Sequence, residues 1–205
     1  MDTPTSKSEA TYTAIVQAAY EMAAAEGIGK VSLGEISKRL GISKSGVFSR
    51  VGSLEALQEA VLDEYDRRFA QDIFLPSLKL QHGLPRLTAQ IQAWIRRCCE
   101  TGPRTGCLYT AGAFEFDDLS GPLRDRIEQG VLRWRASLRK TVLQAVEVGH
   151  LRPDTDPEQL VFEIYCLIVG LLHDARFMRD PSTLKRISVA YGRLISTYKS
   201  FTYQD

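Results

Sequence analysis

Two cations and several small polar residues lie close together near the amino terminus, where they could bind a polyanion. Lys44 and Arg50 are six residues apart, and Ser45, Gly46 and Ser49 lie between them. The two cations could donate hydrogen bonds to phosphates or to guanine edges, and the small residues would let a DNA backbone come close. This combination of residues predicts a surface that contacts double-stranded DNA.

Two serines that precede helical stretches in the same region could bind phosphate as well. Ser32 is followed three residues later by Glu35, which is the capping-box pattern of a helix start, and Ser43 precedes the next predicted helix. Free N–H groups in a first helical turn bind anions, so each serine is predicted both to cap a helix and to contact a phosphate. Phe48 is included in the predicted DNA-binding set, although we expect Phe48 and Val47 to turn inward or to rest on the backbone.

Two short helices joined by a tight turn would position these side chains. Leu33, Ile36 and Leu40 recur at i, i+3 and i+7, the spacing of one helix face, and Gly41 can adopt the left-handed conformation that ends a helix. Residues 44–50 then form the second helix. Such a pair is a helix-turn-helix, a unit that places its second helix in the major groove of DNA.

This region resembles the tetracycline-repressor (TetR) family of bacterial transcription regulators. The residues on which the resemblance rests are Ala18, Ala19, Gly27, Ser32, Ile36, Leu40, Gly41, Ile42, Ser43, Gly46, Phe48, Val51, Ser53 and Leu57. Three positions depart from the family pattern: Phe48 replaces a tyrosine, Val51 replaces a phenylalanine, and Leu54 replaces a lysine that approaches the DNA backbone. The resemblance is tight over about the first 60 residues, and beyond them it concerns only the number and order of helices.

The resemblance implies a carboxy-terminal pocket for a small-molecule effector that loosens DNA binding. The side chains predicted to line it are aromatic residues and one thiol of the middle helices: Trp94, Cys98, Tyr109, Phe114, Trp134, Phe162 and Tyr165. Aromatic walls with a few polar tips suit a small, mostly apolar molecule, although each of these residues could equally be plain core. Glu115, Asp117 and Asp118 could pair with a cationic effector, or could cap the following helix and remain solvated.

Helical patterns continue through the rest of the chain. A long fourth helix starts at Leu54, keeps its apolar stripe to Ile73 and should end before Pro76. We expect it to be shared between a DNA-binding domain of residues 1–53 and a helical effector-binding and dimerisation domain of residues 54–205. No segment alternates with the period of a strand, so the sequence predicts an all-α fold of about nine helices.

The last two helices are the predicted dimer surface. Their starts are predicted at Asp156-Pro157 and at Asp180-Pro181, with aspartate as the cap and proline in the first turn. The first of them is apolar on most faces, and the second has an apolar seam that runs to Phe201. Gly170 would allow close helix approach. Four helices, two from each subunit, would bury this surface in a homodimer; alternatively, the two helices complete the core of a single subunit.

Composition restricts the remaining function classes. The net charge is only +1, so DNA affinity would have to come from the placement of the cations rather than from their sum. The polar start of the chain predicts no signal peptide, and the longest apolar run, residues 164–172, is shorter than the ~20 residues of a membrane span. We therefore expect a cytoplasmic protein without membrane contact.

The four cysteines are expected to be small buried hydrophobes, and no metal or cofactor is expected, because the cysteine and histidine spacing matches no zinc pattern.

Two alternatives to a regulator remain open at this point. A helical thiol-dependent enzyme would need a base near its cysteine, and no Cys–His spacing suggests one; a redox role for Cys98 and Cys99 is a related option. A helical interaction module without DNA binding is made conceivable by Val51 and Leu54. The sequence favours a non-enzymatic, ligand-responsive regulator, with repression as the expected output, that binds a palindromic operator as a dimer and is released by a small molecule.

Overall fold

The computed structural model describes residues 7–100 and 106–203. Across these residues it contains nine α-helices of eight or more residues and no β-strand, apart from an isolated bridge between Leu151 and Lys199. The all-α prediction is therefore confirmed. No helix in the described ranges is long and apolar enough to cross a membrane.

The helices follow the order predicted from the sequence. They are α1 (Lys7–Glu26), α2 (Leu33–Leu40), α3 (Lys44–Val51), α4 (Leu54–Phe69), α5 (Leu84–Glu100), α6 (Leu108–Glu115), α7 (Pro122–Glu147), α8 (Pro157–Leu172) and α9 (Thr183–Tyr198). A 3-10 turn (Ile28–Lys30) precedes α2, and a π-helical segment (His173–Met178) continues α8.

The end of the fourth helix differs from the prediction. A π-helical segment (Ala70–Phe74) and one further turn (Leu75–Ser77) continue α4, so that Pro76 lies inside the last turn instead of beyond the helix. A proline near a helix end removes few intrahelical hydrogen bonds, which is why the chain tolerates it there.

The helix-turn-helix forms for the reasons that its sequence suggests. The Ser32 hydroxyl accepts a hydrogen bond from the N–H of Glu35, at 3.2 Å, and the Ser43 hydroxyl accepts one from the N–H of Gly46, at 3.0 Å. Gly41 ends α2 with φ 64° and ψ 29°, the left-handed conformation expected of it. Helices α1, α2 and α3 pack against one another, and Ile36 of α2 is fully buried.

The chain divides into two compact units. The first comprises the described residues up to Arg68 together with Leu108–Glu128, and the second comprises the described residues from Phe69 to Cys107 and from Gln129 onwards. The first unit thus contains most of α4, all of α6 and the start of α7 in addition to the helix-turn-helix. The compact units do not coincide with the predicted boundary after residue 53, and the functional division at that point stays a prediction.

An arginine of α7 joins three helices inside the first unit. The Arg126 guanidinium lies 2.9 Å from carboxylate oxygens of Asp63 and Asp66 and 3.2 Å from Glu59, all on α4. It also donates to the hydroxyl oxygen of Tyr109 of α6, at 2.7 Å, and that hydroxyl donates to Asp66, at 2.7 Å. Burial and the hydrogen bond to Asp66 raise the pKa of Tyr109. One cation therefore holds three carboxylates and a phenol together.

The second unit is built on α5, α8 and α9, which pack pairwise against one another. Asp156 caps α8 as predicted, because its carboxylate accepts hydrogen bonds from the N–H groups of Glu158 and Gln159. Helix α9 begins at Thr183, two residues later than predicted, since the Asp180 carboxylate accepts from the N–H of Ser182 and holds a turn there instead.

The predicted seam of the last helix is shorter than expected. Ile187, Tyr191 and Ile195 of α9 are buried, but Phe201 lies beyond the helix end and is 98% exposed. The helix stops at Tyr198 because the following residue, Lys199, adopts an extended backbone.

Candidate DNA-binding and effector-binding sites

Helix α3 presents the predicted DNA-binding residues to solvent. Its exposed side chains, and the exposed cap before it, are Ser43, Lys44, Ser45, Phe48, Ser49 and Arg50. Gly46 is half-buried, and Val47 is fully buried against the rest of the first unit. The outer face of the helix is therefore polar and cationic, as a surface that contacts phosphates and base edges needs to be.

Phe48 lies on this outer face and does not turn inward; the alternative, that it rests on the backbone, stays a prediction. Its side chain is 54% exposed, whereas Val47 is fully buried. Successive helical residues point about 100° apart, so burying Val47 directs Phe48 outward. The ring is thus available for apolar contact with a partner surface, which keeps Phe48 in the predicted set for a different reason.

The cations of α3 differ from those of α2 in their partners. Lys38 pairs with Glu35 at 3.2 Å, and Arg39 pairs with Glu26 at 3.0 Å. Within the part of the chain that the structure describes, neither Lys44 nor Arg50 forms an ion pair. The two α3 cations are therefore not neutralised by a nearby carboxylate and can pair with an external anion.

A cleft beside α3 adds residues that the sequence patterns did not single out. It has a volume of about 550 Å³ and is lined by Ser8, Glu9, Tyr12 and Thr13 of α1 and by Ser49 and Arg50 of α3. Tyr12 is exposed and places a phenol beside the cationic end of α3. From the sequence pattern of α1, Tyr12 is only a surface residue. The pattern does not show that Tyr12 lies beside α3, and for that reason the sequence analysis did not include it in the DNA-binding set.

Glu115 has a structural role that differs from both alternatives named for it, pairing with a cationic effector and capping the following helix. Its carboxylate, at the end of α6, accepts hydrogen bonds from the N–H groups of Ile28 at 3.2 Å and Gly29 at 2.8 Å. Gly27 and Gly29 make this approach possible, since a Cβ on Gly29 would lie 2.5 Å from a Glu115 oxygen. The carboxylate thus binds the turn that leads into the helix-turn-helix, while Asp117 accepts the N–H of Asp118 in the loop that follows.

Replacing Glu115 with glutamine is expected to lower the free energy of unfolding by about 1 kcal/mol. An amide oxygen cannot give both N–H donors the charge-assisted bonds of a carboxylate, and partial exposure keeps the loss below that of a buried ion. Urea unfolding followed by circular dichroism measures the difference. Asp118→Asn, which changes an exposed acid of the neighbouring loop, is the matched control, and equal stability of the two variants would contradict the role assigned to Glu115.

Part of the predicted effector-binding set meets in one aromatic cluster of the second unit. Trp94 of α5 packs edge-to-face on Trp134 of α7, with ring centroids 5.6 Å apart, and on Tyr165 of α8, at 5.3 Å. Phe69, the last residue of α4, packs in the same way on Trp94, at 6.0 Å, and on Trp134, at 4.8 Å. Four helices thus each contribute one ring, and Phe69 is the member that the sequence analysis missed.

Three of the other predicted effector-binding residues lie outside this cluster. Tyr109 belongs to the Arg126 network of the first unit. Phe114 and Phe162 are 64% and 54% exposed, so neither is part of a buried wall. Phe114 and Phe162 were predicted from the helical period of the apolar residues. That period does not show which face of α6 or α8 packs against the neighbouring helices.

The cysteines only partly follow the prediction that they are buried. None of the four forms a disulfide; Cys98 and Cys107 are buried, Cys99 is half-buried, and Cys166 is exposed. Burial raises the pKa of the Cys98 thiol well above its usual value. A thiol held in its neutral form is a poor nucleophile, so Cys98 does not suit the thiol-dependent enzyme.

Comparison with known proteins places the chain in one family. Residues 83–191, a little more than half of the chain, match the family model described as "Tetracyclin repressor-like, C-terminal domain". The HTH-type transcriptional regulator SrpR of Pseudomonas putida is 25% identical over 187 residues, which cover 91% of this chain and 84% of SrpR.

Solved structures of the same fold cover nearly the whole chain. A TetR transcriptional regulator from Chloroflexus aurantiacus J-10-FL superimposes with a TM-score of 0.81 at 23% identity, over 95% of this chain and 98% of that one. AibR, solved in complex with isovaleryl coenzyme A and operator DNA, superimposes with a TM-score of 0.70 at 20% identity, over 93% of this chain and 99% of AibR. With the match over the carboxy-terminal domain, these observations identify the chain as a member of the TetR family of transcriptional regulators.

Proposed function

We propose that this regulator binds a palindromic operator as a homodimer through α3 and is released from it by a small molecule that binds in the second unit, with repression as its output. The observation that supports it most directly is the exposed outer face of α3, where Lys44 and Arg50 are cations without an ion-pair partner among the described residues. Ser32 and Ser43 would bind phosphates at the helix starts that they cap. Ser45, Gly46, Phe48 and Ser49 would face the groove.

Exposed apolar residues support dimerisation through the last two helices. Phe162, Cys166 and Gly170 lie at i, i+4 and i+8 on one face of α8, and all three are exposed. Leu184 and Val189 of α9 are exposed as well, and a Cβ on Gly170 would meet open space. Burial of these faces against a second copy would give the four-helix contact predicted from the sequence.

The aromatic cluster supplies the proposed connection between effector and DNA. Phe69 ends α4, and its ring packs on Trp94 and Trp134. A ligand that enters among these rings would change the environment of Phe69 and could shift α4, which leads back along the chain to α3. Such coupling is reciprocal, so operator DNA must weaken effector binding by the factor by which the effector weakens DNA binding.

One solved relative of the same fold supports the pairing of operator and small molecule. AibR was crystallised in complex with both isovaleryl coenzyme A and operator DNA. At 20% identity this concerns AibR itself, and the operator and effector of the present chain are to be found by experiment.

Selection of bound sequences from a random DNA pool tests the proposal. We expect an enriched palindrome, because a two-fold symmetric dimer places two α3 helices on two half-sites. Binding to the selected duplex should weaken steeply with salt, with a slope of about −0.9 in log K per phosphate contact. Absence of any enriched sequence, together with no retention of DNA even at low salt, would favour the interaction module instead.

A further inference from the structure

We infer that the aromatic cluster of the second unit binds an organic anion, a carboxylate attached to an aromatic body, whose oxygens accept hydrogen bonds from Trp94, Trp134 and Arg135. This inference rests on the proposed function in treating the cluster as the effector site, and it adds the chemical class of the effector.

Buried hydrogen-bond donors without partners are the first observation. The indole nitrogens of Trp94 and Trp134 and the Nε of Arg135 are all inaccessible to solvent, and none has a hydrogen-bond partner among the described residues. Trp94 is 1% exposed as a whole residue. Most buried polar groups in native proteins are hydrogen-bonded, so three such donors around one cluster call for an explanation.

The neighbouring rings do not satisfy these donors. An N–H directed at an aromatic face gains only a weak interaction, well below that of an oxygen acceptor. Gln90, one turn before Trp94 on α5, adds one buried acceptor without a partner, since its amide nitrogen donates to Ser77 at 3.0 Å while its oxygen is unpaired. Unpaired donors nevertheless outnumber unpaired acceptors, which favours a ligand rich in acceptors.

The charge at the cluster is positive. The Arg135 guanidinium lies 4.6 Å from the centroid of the Tyr165 ring, and Arg135 has no ion-pair partner in the described ranges. Burial raises the pKa of the Tyr165 hydroxyl, and the positive charge of Arg135 acts in the opposite direction. By contrast, Arg139, one turn further along α7, pairs with Glu158. A half-buried cation without a carboxylate is compensated when an anion binds.

Part of the cluster is accessible to solvent. Trp94 and Tyr165 are buried, whereas Phe69, Trp134 and Arg135 are half-buried. A planar apolar body can replace ring-to-ring contacts of Phe69 and Trp134 with contacts of the same kind, so that burial of its own surface drives binding. The carboxylate would then lie beside Arg135, where the unit meets solvent.

Tryptophan fluorescence measures binding at this cluster directly, because Trp94 and Trp134 are the two tryptophans of the chain. The probe is phenylacetate, and its matched analogues are neutral phenylacetamide and cationic 2-phenylethylammonium, which share its aromatic body. We expect a saturable change in emission, with phenylacetate binding about tenfold or more tightly than the amide and the cation binding weakest. Arg135→Met should bring the affinity for phenylacetate down to that for the amide, while Arg139→Met should leave the ratio unchanged.

Two results would overturn the inference: equal affinity for phenylacetate and phenylacetamide in the unmodified protein, or an undiminished preference for the acid in Arg135→Met. Thermal unfolding of both variants verifies that they are folded. Binding to the selected operator duplex is measured in parallel, so the two proposals fail separately. If the protein binds the operator but does not prefer phenylacetate to phenylacetamide, only the inference is wrong. If it prefers phenylacetate but does not bind DNA, only the proposed function is wrong.

Discussion

Replacement of Arg126 by methionine is expected to lower the free energy of unfolding by about 2 kcal/mol. The Arg126 side chain is 14% exposed and is the cation that Glu59, Asp63 and Asp66 share. Removal of one partner of a buried pair costs about 3–5 kcal/mol, because the remaining charge is left uncompensated. The three carboxylates here are partly solvated, so water offsets part of that loss and the smaller value is expected.

The stability deficit of Arg126→Met should depend on pH in a defined direction. Without the guanidinium, the clustered carboxylates repel one another in the folded variant, and this repulsion exists only while they are ionised. The deficit is then largest above about pH 5 and shrinks as the pH falls toward 4, where protonation removes the repulsion. Urea unfolding at a series of pH values measures this change.

Two further variants identify the source of the effect. Arg124→Met removes a more exposed arginine of the same helix, which pairs with Glu128, and should cost at most a few tenths of a kcal/mol. Adding Asp66→Asn to Arg126→Met should recover part of the stability, because it removes one of the uncompensated charges. If Arg124→Met and Arg126→Met are equally destabilising at every pH, the network does not stabilise the first unit.

Neither the Arg126 network nor the Glu115 contact could be predicted from the sequence. Arg126 lies 60 residues from Asp66 in the chain, and Glu115 lies 86 residues from Gly29. Both residues lie on helices whose charged faces are predicted from the sequence to be solvent-exposed. Only the packing of α6 and α7 beside α4 brings the partners together. The helix-turn-helix differs, since its caps at Ser32 and Ser43 and its left-handed Gly41 depend on residues three or four positions away.

The predicted effector-binding residues show the same limit. The sequence placed Trp94, Trp134 and Tyr165 in one set, and they do meet, because each lies on the buried face of its helix. Phe114 and Phe162 are also aromatic and follow a similar helical spacing, but they face outward. What was missing is which face of each helix is covered, a property that depends on the neighbouring helices and not on the period of the pattern.

The double variant Lys44→Ala with Arg50→Ala is expected to weaken binding to the selected operator by about 100-fold or more. Both side chains are exposed on α3, and each would lose a charge-assisted hydrogen bond to phosphate or guanine. The proposed dimer would present each change twice, so that four cations would be lost from the complex. The salt dependence should flatten accordingly, by about 3 to 4 in the slope of log K against log salt if all four contact phosphates.

The matched control uses the cations of the neighbouring helix. Lys38→Ala with Arg39→Ala removes the same total charge, but Lys38 and Arg39 are already paired with Glu35 and Glu26, so affinity should fall by less than about tenfold. Fluorescence anisotropy of labelled operator at several salt concentrations measures both pairs. Both double variants lose the same net charge, so a difference in their affinity for DNA shows the effect of where the cations are placed. Equal losses in the two double variants would mean that general electrostatic attraction, and not the outer face of α3, determines the affinity for DNA.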